Sequence, residues 1–158
     1  MAGWQVEFYL IPRRALATPI ALTPTVLRDT DWWATNSFPP DYRTRLAGIV
    51  ANARPSSPNV ESWGDDDGNR VDVWSAGGRV SRVMVRVDVR RLDSKFGAAL
   101  IVFARTGDAV LVRADGLVVE PTISAYAGAL RSSAAWRFAS DPAAFLAAQS
   151  ESAEDDDE

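Results

Sequence analysis

Residues 62–80 read SWGDDDGNRVDVWSAGGRV, with three consecutive carboxylates, Asp65, Asp66 and Asp67, between two tryptophans. Paired carboxylates can serve as general acid and base, or hold Mg²⁺ or Ca²⁺ through oxygen ligands. The EF-hand loop is the oxygen-ligand motif whose spacing can be tested, and it needs Gly sixth and Glu twelfth. Placing Gly68 sixth puts Trp63 first, where an acid is required, and Trp74 twelfth. The motif fails at both ends. The same residues suit a hairpin turn, because Asp, Asn and Gly tolerate a positive φ. The stretch is read as a turn, and neither a metal nor a cofactor is assigned.

A second set of chemical groups lies on the strands that follow. Arg70, Asp72 and Trp74 alternate along one run, and Arg82, Arg86, Asp88 and Arg90 along the next. Neighbouring antiparallel strands set such rows about 4.5–5.5 Å apart at Cβ. A ladder of Arg/Asp pairs is the expected result, joined by Glu7 from the first strand. Fixed guanidinium groups could receive a carboxylate, a phosphate or an acidic protein. The same ladder could equally be a solvated face, each pair contributing only ~0–1 kcal/mol.

The third candidate is Trp32-Trp33, with Phe38 and Tyr42 close by in a Pro-rich connection. Two adjacent tryptophans on a non-periodic segment do not easily enter one core. Exposed, they would suit an interface, where Trp, Tyr and Arg dominate binding energy. Alternatively the loop folds down as a lid and buries both.

Missing residue types exclude much else. The chain has no histidine and no cysteine, so a Ser-His-Asp triad, a Cys-His pair, a His-based zinc site and iron–sulfur chemistry are ruled out. No G-x-x-x-x-G-K-[ST] loop occurs, and Gly64 and Gly68 precede a strand, unlike a dinucleotide fingerprint. No catalytic residues are assigned.

These groups must be positioned by an alternating framework. Trp4 to Ile11 is a strand with one fully apolar face, ended by Pro12. Residues 13–40 form a long irregular connection broken by Pro19, Pro24, Pro39 and Pro40. Asp41 is placed to cap a helix from Tyr42 to about Ala53, and ARPSSPN follows as a loop. Asn59–Trp63, Arg70–Ser75 and Arg79–Leu92 then read as an antiparallel meander. Val80 is out of phase with Val83, Val85, Val87 and Val89, which predicts a bulge near Ser81. Asp93 or Ser94 caps a helix from Lys95 to about Arg105. Ala109–Arg113 and Leu117–Glu120 flank a hairpin at Ala114-Asp115-Gly116. Helices follow at about Ile123–Arg131 and from Asp141-Pro142, the last with Phe145 and Leu146 facing inward. The sum is an α+β domain: an antiparallel sheet of five or six strands, with three or four helices mostly on one face.

The hairpin WGDDDGNRVDV, the strand VMVRVDVR and the late SSAAWRFASDPAAFL resemble a family of small uncharacterised bacterial proteins with a WG–acidic–DGNR–x–DV hairpin. The similarity covers roughly residues 60–146. It implies the α+β fold and a bacterial setting, and it transfers no functional residues.

Charge and hydropathy set the context. The 158 residues suit a single domain over 1–150. Six of the 21 acids crowd into residues 151–158, ESAEDDDE, which leaves 15 acids against 17 bases in the body. Such a block of like charge is expected to be a disordered acidic tail. The body is barely basic and no Lys-rich patch or RNP-like motif appears, so nucleic acid is not the expected partner. No apolar run approaches the ~18 residues of a membrane span, and the N-terminus lacks a secretory signal pattern. A cytoplasmic setting with no membrane partner is expected. Two functions remain. One is a non-enzymatic interaction module of the immunity or accessory type, meeting a protein partner or its own copy through Trp32-Trp33 and the Arg/Asp face. The other is a small-molecule binder or carboxylate-based enzyme, with Glu7, Asp72, Arg86 and Asp88 around an anionic ligand.

Overall fold

The computed structural model describes residues 2–51, 53–143 and 146–148. Its alternating runs form one antiparallel sheet of seven strands: β1 (Gln5–Pro12), β2 (Arg54–Ser57), β3 (Val60–Gly64), β4 (Arg70–Ala76), β5 (Arg79–Asp88), β6 (Ala109–Arg113) and β7 (Val118–Val119). The strand order is β2-β3-β4-β5-β1-β6-β7, with every neighbouring pair antiparallel. The strand beyond the expected six is β2, in the segment read as a loop. Its short RPSS sequence, with a proline and a register shift after Pro55, is how a sheet edge is kept from pairing further. The meander and the expected bulge are present. Trp74 pairs with Arg82 but Ser75 pairs with Val80, so Ser81 is the extra residue, and its hydroxyl donates to Trp74 O at 3.2 Å. β5 ends at Asp88, short of Leu92.

Side-chain caps decide where the α-helices begin. They are α1 (Pro24–Asp29), α2 (Tyr42–Ile49), α3 (Ser94–Thr106), α4 (Ile123–Arg131) and α5 (Ala134–Ser140), with a 3₁₀ turn at Arg13–Leu16. Thr23, Asp93, Thr122 and Ser133 each accept a backbone N–H of the following first turn, which satisfies donors that a helix start leaves orphaned. Asp41 does not cap α2. Its carboxylate accepts from Arg45 Nε at 2.9 Å instead. α2 stops at Ile49 because Val50 is extended, and α1 lies inside the segment read as irregular. α5 is a helix that was not expected, and the described residues of the one expected from Asp141-Pro142, 142–143 and 146–148, are helical. Leu146 is 53% exposed rather than inward-facing, and Phe145 and the acidic stretch 151–158 lie outside the described residues.

The sheet's first face carries the main core. Val6, Phe8 and Leu10 line up with Val83, Val85, Val87 and Leu111, and Trp63, Val71 and Val73 extend the row. Phe96, Leu100, Phe103, Tyr126 and Leu130 of α3 and α4 are buried in the same cluster. The second face is covered over part of its width. Tyr9, Ile11, Val110 and Val112 are buried there, although the helices of the first face cannot reach them. The connection 13–41 does. Arg28 is an electrostatic neighbour of Tyr9, and Asp29 of Arg82, which sets α1 over this face with Leu27 wholly buried. Leu22 O lies where a side chain on Gly116 would stand, 2.7 Å from its ideal Cβ, and Gly116 has φ +94°. Only glycine admits that approach.

The paired tryptophans are therefore a lid. Trp32 is 4% and Trp33 2% exposed. Trp33 Nε1 donates to Leu10 O at 3.1 Å, and its ring meets Phe38 edge-on at 4.8 Å, which in turn packs on Phe103 of α3. Trp32 Nε1 donates to Leu27 O at 3.0 Å, closing the end of α1. Adjacent indoles thus go to different partners, which removes the crowding that argued for exposure.

Trp33→Ala is expected to destabilise the fold by about 3–5 kcal/mol, as for other large-to-small changes at buried aromatics, read as a lower urea midpoint. Tyr126 gives a pH test. Burial raises its pKa, with the nearby charge of Asp93 adding to the effect. The fold thus favours the neutral phenol. Its contribution is complete below the ordinary tyrosine value of about 10 and is lost as pH rises through the raised one. Alkaline unfolding should therefore set in above about pH 10, and Tyr126→Phe should push that limb upward, followed by circular dichroism.

Candidate functional site

The second face changes character along β1. Toward the end of the strand it presents Tyr9 and Ile11, roofed by the 13–41 connection. Toward the start it presents Gln5 and Glu7. The open half continues from Glu7 across β5, β4 and β3. Register sets Glu7 opposite Arg86, Arg86 opposite Arg70, and Arg70 opposite Gly64. The next row is Tyr9, Met84, Asp72, Ser62 and Arg54, and beyond it Arg82, Trp74 and Val60.

This register replaces the expected Arg/Asp ladder. Directly opposed residues are Arg70 with Arg86, Asp72 with Met84, and Trp74 with Arg82. Between β3, β4 and β5 the ion pairs run along or diagonal to the strands, while Glu7 and Arg86 face each other directly across β1 and β5. Arg70 is the hub: Nε donates to Asp72 Oδ1 at 2.8 Å, Nη1 to Asp66 Oδ1 at 2.5 Å and Nη2 to Ser62 Oγ at 3.2 Å. Ser62 also donates to Asp72 Oδ1 at 2.5 Å. Arg54 adds a second hold on Asp66, at 2.5 Å. Asp72 is 2% exposed, so its charge is compensated by these donors rather than by solvent. Arg86 lies 3.8 Å from Glu7 Oε2, and Tyr9 donates to Glu7 Oε1 at 3.3 Å. Burial raises the Tyr9 pKa, and the charge of Glu7 raises it further. Arg82 lies 4.2 Å over the half-buried ring of Trp74.

The aspartate turn serves chiefly through its carbonyls. Trp4 Nε1 donates to Asp67 O at 2.8 Å, Gln5 Nε2 to Asp66 O at 3.1 Å and to Gly68 O at 2.7 Å, and Arg90 Nη2 to Asp67 O at 3.1 Å. These bonds lash the β3–β4 hairpin to the start of β1. Gly64 makes the turn possible: it has φ +100°, and a Cβ there would sit 2.1 Å from Asn69 O. Asp88 is buried beside this turn, bridged to Arg90 by two bonds of 3.1 and 2.9 Å.

Among the described residues, four of the concavities lie elsewhere. A cleft of about 810 Å³ beside the 33–40 loop is lined by Tyr42, Arg43, Asn59, Glu61 and Arg79 among others. Its Glu61 is held below the usual carboxylate range, mainly by hydrogen bonds from Arg43. One of about 820 Å³ separates the aspartate turn from the start of α3 and includes Asp88 and Arg90. Two smaller ones, of about 450 and 220 Å³, flank α2 and the α3–α4 seam. None of the four is lined by Glu7, Asp72, Trp74, Arg82 or Arg86.

Of the residues singled out in the sequence, the fold brings Glu7, Asp72, Trp74, Arg82 and Arg86 onto one half-face. It sends Asp88 to the sheet end, and Trp32 and Trp33 into the lid. Arg54, Ser62 and Tyr9 belong to the cluster but were not among the expected site residues, while Arg70 came in with the expected ladder and Asp66 with the aspartate turn. Arg70 was legible from its place two residues before Asp72. Arg54 was not, since it lies on a strand read as loop.

No protein-family model matches the chain, and no curated protein or solved structure matches it. Among the described residues no helix is long and apolar enough to cross a membrane.

The hub separates two kinds of ion pair. Asp72→Ala leaves Arg70 and Ser62 without their buried acceptor and should cost about 3–5 kcal/mol. Asp66, with a side chain 80% exposed, should tolerate Ala within about 1 kcal/mol. Chemical denaturation of both variants measures the difference. Equal losses would place the hub's strength in the turn rather than on the strand.

Proposed function

We propose that the chain is a non-enzymatic protein-interaction module of the immunity or accessory type, whose contact surface is the open half of the second sheet face. The observation that supports this reading is the arrangement of Glu7, Trp74, Arg82 and Arg86. They are half-buried, held on a rigid sheet, and spread over a surface that none of the four concavities includes. A surface outside these clefts suits a protein partner better than a small ligand, which needs a cleft to bury it. Trp74 with Arg82 stacked over it supplies the two residue types that most often dominate interface energy, already ordered before binding. Arg70 and Asp72 support the surface from beneath.

The reading as a ligand-binding protein or carboxylate-based enzyme has weaker support. Its four residues do not converge: Asp72 is consumed by Arg70 and Ser62, and Asp88 by Arg90. The cleft beside the aromatic loop is lined by other residues.

The test compares wild-type bait with Trp74→Ala/Arg82→Ala bait in lysate of the source cells, each first shown to be folded by its thermal melt. A partner retained by the wild type should be lost by the double variant. Measured with the purified partner, the affinity should fall by at least about thirtyfold, the scale of hot-spot truncation. Identical recovery by the two baits would overturn the proposal.

A further inference from the structure

We propose that Arg86 forms a site for one carboxylate group on this open half-face, with Arg82, four residues earlier on β5, adding positive charge nearby; the inference rests on the contact-surface reading and names the chemistry that the surface receives. Arg70 and Arg86 are opposite residues on adjacent strands, and their guanidinium groups are treated differently. Arg70 places Nε, Nη1 and Nη2 on three acceptors. Arg86 places none. Its Nε is buried without a hydrogen-bond partner, and Glu7 Oε2, at 3.8 Å, is near enough for charge attraction but too far for a hydrogen bond. Glu7 leans the other way, with Oε1 accepting from Tyr9. Arg82 makes no ion pair among the described residues, and its charge reaches Tyr9 and Asp29.

A guanidinium offers five N–H donors in one plane. The Arg86 side chain is only 20% exposed, so solvent cannot freely serve them, and unmet donors are costly. An acceptor brought from outside meets the guanidinium through the part of the side chain that stays exposed, not through the buried Nε. The planar fork matches the two oxygens of a carboxylate. Charge selects the same group. Arg54, Arg70, Arg82 and Arg86 face Glu7, Asp66 and Asp72, four cations against three anions on the half-face. One carboxylate balances that excess. A phosphate, carrying about −1.5 to −2, would overshoot it beside Glu7. A side-chain carboxylate of a partner and a small organic acid share this chemistry.

Titrating purified protein with sodium acetate at constant ionic strength, with chloride as the balancing anion, reads the site without any partner. The signals are the arginine Nε–Hε resonances of ¹⁵N-labelled protein, those of Arg82 and Arg86 assigned by substitution. That of Arg86 should shift and saturate, while that of Arg113, paired with Asp115, stays in place. In Arg86→Gln no remaining arginine resonance should show a saturable acetate response. Arg86→Lys, which keeps the charge and loses the fork, should bind at least about fivefold more weakly. A parallel titration with inorganic phosphate should give weaker binding. A linear, unsaturated response, an unchanged response in Arg86→Gln, or tighter binding of phosphate would overturn the carboxylate assignment. Loss of the acetate response would leave the contact-surface reading to the bait comparison, so the two failures are distinct.

Discussion

β1 is buried on both faces from Phe8 to Ile11, and the rest of the fold answers that constraint. A central strand with apolar groups on both sides cannot leave either in water, so each side of the sheet needs cover. Helices α3 and α4 cover one. On the other, the chain uses the connection that leaves β1 directly, with α1, Leu22 and Leu27 laid over Tyr9, Ile11, Val110 and Val112. Trp33 secures that connection by donating to the carbonyl of Leu10 on β1 itself. Two positions earlier than Tyr9, β1 carries Glu7. Burying that carboxylate under an apolar lid would be costly, and the cover stops there. The boundary between the roofed and open halves of the face thus falls where β1 changes from apolar to acidic.

Beyond that boundary the sheet covers itself. Ser62, Met84 and Asp72 are buried on the face they share with Arg54, Arg70, Arg82 and Arg86, and the Arg70 guanidinium is turned onto Asp72, Asp66 and Ser62 rather than toward solvent. The ion pairs are arranged around one buried acid, Asp72, which explains why the aspartate turn matters. The turn's backbone carbonyls tie the hairpin to Trp4, Gln5 and Arg90, and its Asp66 closes on Arg54 and Arg70. With the hairpin so fixed, Arg70 is fully bonded and Arg86, facing it across the ladder, is not. That asymmetry is the chemical feature that distinguishes this face from a merely solvated one.

Much of this was legible in the residues. Period-two alternation identified β1 and the three-strand meander, and the phase break at Val80 placed the bulge at Ser81. The failure of ligand spacing at Asp65–Asp67, together with Asn and Gly, identified a turn. In the second half α3 was read from its cap at Asp93 and α4 from its span, whereas α5 was not read as a helix. Besides α5, two segments were not legible. Arg54–Ser57 lacks β-branched and aromatic residues and became a strand only by pairing with β3. Pro24–Asp29 is too short to show a helical period, and it is stabilised by burying Leu27 on a sheet face that comes from distant sequence.

By itself the sequence determined the absence of thiol and imidazole chemistry, the antiparallel α+β class, and the alternation that puts Glu7, Arg70, Asp72, Trp74, Arg82 and Arg86 on one side of their strands. Alternation is a local property, so it survives without knowledge of neighbours. The tertiary structure decided which of those residues meet. Strand register set Arg70 against Arg86 and Trp74 against Arg82, and the path of the 13–41 connection buried Trp32 and Trp33. Register and loop path depend on contacts far apart in the chain, and no spacing within one segment encodes them.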